Sequence, residues 1–316
     1  MLTRRLGRTD LDVGVLCFGG NVFGWTTDQA QSAAVLDAFL EAGGNFVDSA
    51  DVYSRWVPGN TGGESETILG QWMKDRGNRA DVIVATKLGS PMGEGKQGLS
   101  RTYMMQAVED SLKRLQTDYI DLYQAHRDDQ ETPLEEIMAA FDDLVKQGKV
   151  RWIGASNFTA ARLAEANAVA KQGGRARYES IQPPYHLLQR SDYESELEPL
   201  CQREQIGVIT YSSLASGFLT GKYKKDQQLP NSGRAGGVQQ RYMNDKGWAV
   251  LDAVEAVAAR LGATPAQVAL AWIASRPGMT GPIASATTPA QLEELIGGID
   301  LELDDAAIAT LDKASA

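Results

Sequence analysis

The chain has 316 residues, 43% hydrophobic and 23% charged, with a formal net charge of −10. Those values suit a globular fold with a large core and disfavour nucleic acid or an anionic membrane as a partner. Only Cys17, Cys201, His126 and His186 represent their residue types, so neither a disulfide framework nor a His-rich metal site can be read, and no metal is expected.

The N-terminal Met-Leu-Thr-Arg-Arg-Leu-Gly lacks the apolar centre of a signal peptide, and no run of about eighteen apolar residues occurs. A cytoplasmic protein is expected. Asn157-Phe-Thr159 matches a glycosylation acceptor, which without a secretory signal is read as chance.

Residues 2–13 alternate charged and apolar groups around Gly7, predicting a short hairpin ahead of the main fold. Residues 13–18 read as a first strand closed by Gly19 and Gly20. A helix follows, capped within residues 26–28 and stopped by Gly43 and Gly44, with Val35, Phe39 and Leu40 at helical spacing. The second strand is predicted at 46–48, a Gly-rich loop at 55–63 and a helix at 64–76. Residues 81–87 form a third strand, nearly continuous in apolar groups as burial on both faces requires.

Ser100 caps a helix running to about Leu115. Strands then follow at 119–126, 150–157, 180–182, 208–211 and 282–284, separated by helices at 133–147, 159–171, 194–204 and 246–261. Residues 215–240 carry little periodicity and are expected to run over the surface. Thr264, Pro265 and Gln267 supply the cap, first position and capping-box partner of another helix. Helices at 289–296 and 303–311 close the sequence. Eight strands alternating with helices predict a parallel (β/α)8 TIM barrel with an N-terminal β-hairpin. A prior of roughly 150 residues per domain would suggest two, but such barrels run past about 250 as one, so a single domain over 1–316 is expected.

Four successive strands end in polar groups. Asp48 ends the second, with Tyr53 just beyond; Lys87 ends the third, His126 the fourth, and Ser156 and Asn157 the fifth. One such residue alone reads as a solvated acid, a snorkelling lysine or a packed histidine. Together they sit where barrels keep their chemistry. They suit proton-coupled hydride transfer to a carbonyl. The forming alkoxide needs a proton, and a tyrosine with an ordinary pKa of about 10 gives one up reluctantly near neutrality. The Lys87 ammonium would favour the phenolate and make Tyr53 a better acid, Asp48 would orient Lys87, and His126 would hydrogen-bond the carbonyl oxygen.

These stretches resemble the aldo-keto reductases. The resemblance rests on Phe46-Val-Asp-Ser-Ala-Asp-Val-Tyr53, Ala85-Thr-Lys87, Asp118-Tyr-Ile-Asp-Leu-Tyr-Gln-Ala-His126 and Gly154-Ala-Ser-Asn-Phe158. Tyr211-Ser-Ser-Leu-Ala-Ser-Gly-Phe-Leu-Thr-Gly-Lys-Tyr223 and Pro265-Ala-Gln-Val-Ala-Leu-Ala-Trp272 extend it over nearly the whole chain. It is closest to the bacterial branch similar to potassium-channel β-subunits. The resemblance implies a (β/α)8 barrel and a catalytic tetrad of Asp48, Tyr53, Lys87 and His126. It also implies NAD(P)(H) extended across the barrel mouth, with Ser156, Asn157 and Gln182 on the carboxamide and Tyr211 stacked on the nicotinamide.

On the same ground Ser212, Leu214 and Gly217 line the pyrophosphate path, and Lys222 and Arg234 supply positive charge. Around Ala284-Ser-Ala-Thr-Thr-Pro-Ala-Gln-Leu-Glu-Glu-Leu295 the chain departs from the family pattern. Ser285 replaces the usual Gly, Thr287 stands at the 2′-phosphate position, Gln291 and Glu294 face the adenosine end, and Leu295 replaces Asn. NADP(H) is the favoured cofactor on the strength of Lys222, Arg234 and the Thr287 hydroxyl, with NAD(H) the alternative. A Gly93-Glu-Gly-Lys-Gln-Gly98 match to the dinucleotide fingerprint reads as an ordinary loop, because no strand leads directly into it and Ser100 starts the helix.

Trp25, Trp56, Tyr185 and His186 are candidates to line the pocket for a small-molecule carbonyl or alcohol substrate, and aromatics at a barrel mouth suit apolar or sugar-like carbonyl compounds. The chain ends soon after Leu311, so an open site tolerant of many aldehydes is expected. Two other classes remain at this stage: an NADP(H)-holding redox sensor with little turnover, and a metal-dependent barrel isomerase or hydrolase.

Overall fold

The structure, a computed structural model, describes residues 1–225, 227–230 and 233–316. The chain opens with strands β1 (Thr3–Arg5) and β2 (Asp12–Gly14), then β3 (Cys17–Gly19), α1 (Gln29–Glu41), β4 (Phe46–Asp48), α2 (Glu64–Arg76), β5 (Ile83–Leu88) and α3 (Arg101–Leu115). There follow β6 (Ile120–Ala125), α4 (Leu134–Lys146), β7 (Val150–Ser156), α5 (Ala160–Gln172), β8 (Tyr178–Gln182), α6 (Glu198–Glu204) and β9 (Gly207–Thr210). Helices α7 (Ala235–Tyr242), α8 (Asp245–Leu261) and α9 (Pro265–Ala274) lead to β10 (Met279–Ala284), then α10 (Pro289–Asp300) and α11 (Asp305–Ser315).

Strands β3 to β10 pair in parallel and close a barrel, β10 returning to β3 with Ile283 opposite Cys17. The expected (β/α)8 architecture and N-terminal hairpin are both present. Cap chemistry sets the helix starts as the residue types require. Asp28 accepts from the Gln31 amide and Gln31 returns the bond, Ser100 accepts from the Tyr103 amide, and Thr264 with Gln267 forms a second capping box.

Side chains alternate in and out of the barrel wall, as the two-residue period of a strand demands. Phe46, Ala85, Leu122, Ile209 and Ile283 point inward and cluster with Leu6, Leu11 and Val13 of the hairpin. The hairpin therefore plugs the N-terminal end of the barrel. Outward residues, among them Val47, Val84 and Tyr123 of the same strands and Ile153 of β7, join the sheet–helix core. Two residues further along β4, β5 and β6 the inward positions become Asp48, Lys87 and Gln124, and Ser156 of β7 and Gln182 of β8 lie beside them, all buried. Strand alternation thus turns an apolar floor into a polar ceiling within one turn of the pleat.

Two predicted elements differ. The strand read at 13–18 is divided, Val13 belonging to the hairpin and Cys17 to the barrel, because both halves are apolar and the bend between them carries no turn residue. The segment at 215–240 is not a surface excursion. Ala215, Phe218, Leu219, Tyr223 and Val238 are buried, a 3₁₀ turn spans Ala215–Thr220, and α7 packs back on that turn. Asp226, Asn231 and Ser232, part of the same segment, lie outside the described residues.

The closing seam depends on Gly281. A Cβ there would stand 1.8 Å from the Val15 carbonyl oxygen, a backbone atom that no rotamer change can move. Gly281→Ala is expected to destabilise the fold by about 1–3 kcal/mol, read as a lower urea midpoint with little change in slope.

Candidate active site

Lys87 is 0% exposed and Asp48 1%. Nζ of Lys87 donates to Asp48 Oδ1 at 2.9 Å and Oδ2 at 2.7 Å, and to the Ser49 carbonyl at 2.7 Å. It reaches the Tyr53 hydroxyl at 2.9 Å, and that hydroxyl donates to Asp48 Oδ2 at 3.2 Å. The carboxylate is held from its other side by Gln182 Nε2, 2.9 Å from Oδ1, and more loosely by Gln124 Nε2 at 3.4 Å. A charge pair out of water is costly unless its remaining donors and acceptors are satisfied, and here they are.

Tyr53 stands at the edge of this pair and faces the mouth. Burial and then the Asp48 carboxylate push its phenol well above the ordinary value. The sequence suggested the opposite direction, from Lys87 alone; burial, reinforced by the carboxylate that accepts from the hydroxyl, outweighs that ammonium, and Tyr53 keeps its proton. His126 follows β6, its ring 6.1 Å from that of Tyr53 at 77°. Burial, Lys87 and Arg127 hold its imidazole well below the ordinary range. It is neutral, and its Nδ1 has no hydrogen-bond partner among the described residues. Asp51 supplies a contrast in the same loop. It is buried without a cation against it, and burial and Glu66 drive its carboxyl well above the usual range.

Around this centre the other candidates form a rim. Ser156 Oγ donates to the Gln182 carbonyl at 2.8 Å. Asn157, in a left-handed conformation at φ 60°, donates to the His126 carbonyl at 2.9 Å and accepts from the Tyr211 hydroxyl at 2.8 Å. Beyond Tyr211 the backbone passes through left-handed conformations at Ser212, Ala215, Ser216 and Gly217, with Leu214 at the start of the 3₁₀ turn. Lys222 Nζ lies 3.0 Å from where a Gly217 Cβ would be, and the φ of 91° at this position favours glycine. Burial and the charge of Arg234 lower the Lys222 ammonium, placing the two cations within each other's field. Lys222 is exposed and Arg234 half-buried, and two such like charges suit an anionic group such as a cofactor phosphate.

After β10, Ser285 Oγ donates to Asn21 Oδ1 at 2.7 Å, and the Thr287 amide and hydroxyl donate to Gln291 Oε1 at 2.8 and 2.9 Å. Glu294 lies one turn along α10 from Gln291, partly exposed. On the opposite side Trp56, 49% exposed, meets the Tyr53 ring at 6.2 Å and Trp25 at 5.5 Å. Arg234 lies over the Trp25 ring at 5.0 Å.

Tyr185 and His186 are corrections. Tyr185 stacks on Trp272 at 5.3 Å and donates to Glu194 at 2.6 Å, in the layer between barrel and helices. His186 is fully buried, its ring edge-on to Tyr242 at 5.5 Å, and burial pushes its pKa down to about 4. Neither lines the mouth. Gln124 was missed: its inward parity with His126 two residues on was the available signal.

Barrel and site together define a class, a (β/α)8 protein with a buried lysine–aspartate pair and a tyrosine hydroxyl at the C-terminal ends of its strands. The chain belongs to the aldo/keto reductase family, whose profile it matches over residues 15–316. It is 35% identical over 314 residues to the uncharacterized oxidoreductase YrpG of Bacillus subtilis (strain 168), covering 97% of this chain and 94% of that one. It is 36% identical over 309 residues to a probable voltage-gated potassium channel subunit beta of Oryza sativa subsp. japonica, covering 95% and 92%. Protein tas of Escherichia coli (strain K12) is 32% identical over 342 residues, covering 99% and 97%. The β-subunit-like branch expected from the sequence is represented among these relatives.

Removing Lys87 would leave Asp48 charged and buried. Lys87→Met is expected to cost about 3–5 kcal/mol in chemical denaturation near neutral pH, and Asp48→Asn in the same chain to return most of it.

Proposed function

We propose that this protein interconverts aldehydes or ketones and alcohols with NAD(P)(H), NADP(H) being favoured. The observation that carries the reading is the Tyr53 hydroxyl at the mouth, bonded at once to the buried Lys87 ammonium and the Asp48 carboxylate. Bound NAD(P)H supplies the hydride. The protein's own residues manage the proton. As negative charge grows on the carbonyl oxygen, Tyr53 gives up its hydroxyl proton. Lys87 Nζ, already donating to that oxygen, stabilises the phenolate left behind without reorganising. Asp48, held by Gln182, fixes the ammonium in place, and the low exposure of the pair strengthens each interaction. The neutral His126 offers an N–H to orient the carbonyl oxygen without competing as an acid. In alcohol oxidation the phenolate takes the proton back.

Ser156, Asn157 and Gln182 are proposed for the carboxamide and Tyr211 for the nicotinamide face. Ser212, Leu214 and Gly217 would meet the pyrophosphate, and Ser285, Gln291 and Glu294 the adenosine. Lys222, Arg234 and the Thr287 hydroxyl favour the 2′-phosphate. Trp25 and Trp56 are the remaining substrate-pocket candidates.

With Trp25 and Trp56 at the mouth, titration with NADPH is expected to quench tryptophan fluorescence saturably, and more tightly than NADH. Tyr53→Phe should keep that affinity and reduce an aldehyde panel about a hundredfold or more slowly. Reduction by Tyr53→Phe at the wild-type rate defeats the assignment; saturable binding with no turnover of any carbonyl favours a cofactor-holding regulator. Because His126 stays neutral and Tyr53 protonated, kcat for reduction is expected to be level from about pH 6 to 8. An inflection near the ordinary imidazole value would mean that His126 titrates.

A further inference from the structure

Arg127 immediately follows His126 on the rim. The turn it belongs to is tied down by Asn157 Nδ2 on the His126 carbonyl at 2.9 Å, and Asn157 in turn accepts from Tyr211 at 2.8 Å. Arg127 is exposed and has no hydrogen-bond or ion-pair partner among the described residues. That is unexpected, because two acids follow it directly. Asp128 is taken by Arg162 at 2.9 Å. Asp129 accepts from the Leu99 amide of the β5–α3 connection at 2.7 Å and from the Thr132 hydroxyl of its own loop at 2.8 Å. The local carboxylates are thus committed elsewhere, and Arg127 keeps an uncompensated charge. Its field reaches inward, since it opposes protonation of His126 and eases ionisation of Tyr211. Across the Tyr53–His126 contact, Arg55 is also exposed without a side-chain partner among the described residues. In a chain of net charge −10, two unpaired guanidiniums flanking the proton donor and the carbonyl-orienting imidazole run against the general field.

We infer that Arg127 is a specificity-determining residue that selects carbonyl substrates bearing a carboxylate or phosphate. The inference rests on the proposed carbonyl chemistry and names its substrate class. With the carbonyl oxygen between Tyr53 and His126, a short substrate directs its far end towards the rim. There a guanidinium offers the planar fork that matches a carboxylate or phosphate. Lys222 and Arg234 lie on the segment after β9 and serve the cofactor end, so Arg127 is not needed there.

Two readouts test this. The first is kinetic, on matched pairs: 4-oxobutanoate against its methyl ester, and glyceraldehyde 3-phosphate against glyceraldehyde. The wild type should prefer the anionic member of at least one pair by about tenfold or more in kcat/KM, chiefly through KM, and which pair shows it distinguishes carboxylate from phosphate. Arg127→Ala should collapse that ratio towards one while NADPH quenching keeps its midpoint; Arg127→Lys should restore part of it. The second needs no turnover: succinate should perturb tryptophan fluorescence saturably where dimethyl succinate does not, and Arg127→Ala should abolish the difference. An Arg127-dependent succinate signal without turnover keeps the anion subsite and discards the reductase reading. Turnover with equal preference for charged and neutral partners, or a ratio untouched by Arg127→Ala, overturns the inference.

Discussion

The constraint on which the site depends is a lysine ammonium and an aspartate carboxylate held together out of water. Neither charge is tolerable without the other, so the ends of β4 and β5 must stand at a fixed height relative to each other. The pairing of Asp48 with Ala85 across the two strands sets that height. The Ser49 carbonyl accepts a further hydrogen bond from the ammonium, and Gln182, from the far side of the barrel, donates one to the carboxylate. Tyr53 is the one member of the group whose polar atom borders both the pair and the mouth. The barrel's closure and the position of the Tyr53 hydroxyl are therefore a single packing problem.

Much of this was legible in the sequence, for a physical reason. Burial on both faces forces barrel strands to be apolar, so Asp48 and Lys87 stood out as polar punctuation at strand ends. Gln124 did not stand out, because an uncharged amide inside a strand gives no such contrast. Tyr185 and His186 were misplaced because they follow β8 closely, and closeness along the chain says nothing of which side of the wall a side chain takes once the strand has ended. The region after β9 hid its structure for a different reason. Phe218, Tyr223 and Val238 are anchors set too far apart to make a period, and their burial comes from tertiary contacts alone.

The direction of the Tyr53 shift teaches a related lesson. A lysine beside a tyrosine suggests an easier phenolate, yet Lys87 already spends its charge on Asp48, and Asp48 also accepts from the phenol. Residue types close in sequence disclose which groups meet, but the sign of the shift depends first on burial and then on the third partner.

The hairpin closes the floor of the barrel: Leu6, Leu11 and Val13 are at most 2% exposed and seal that end. On the proposed reaction, two ligands would then share the mouth above Tyr53, and a shared doorway would impose a queue. Whichever lay along the inner wall would have to arrive first and leave last, and the outer one would gate its escape. Turnover would then depend on traffic through the doorway as well as on the chemistry at its base.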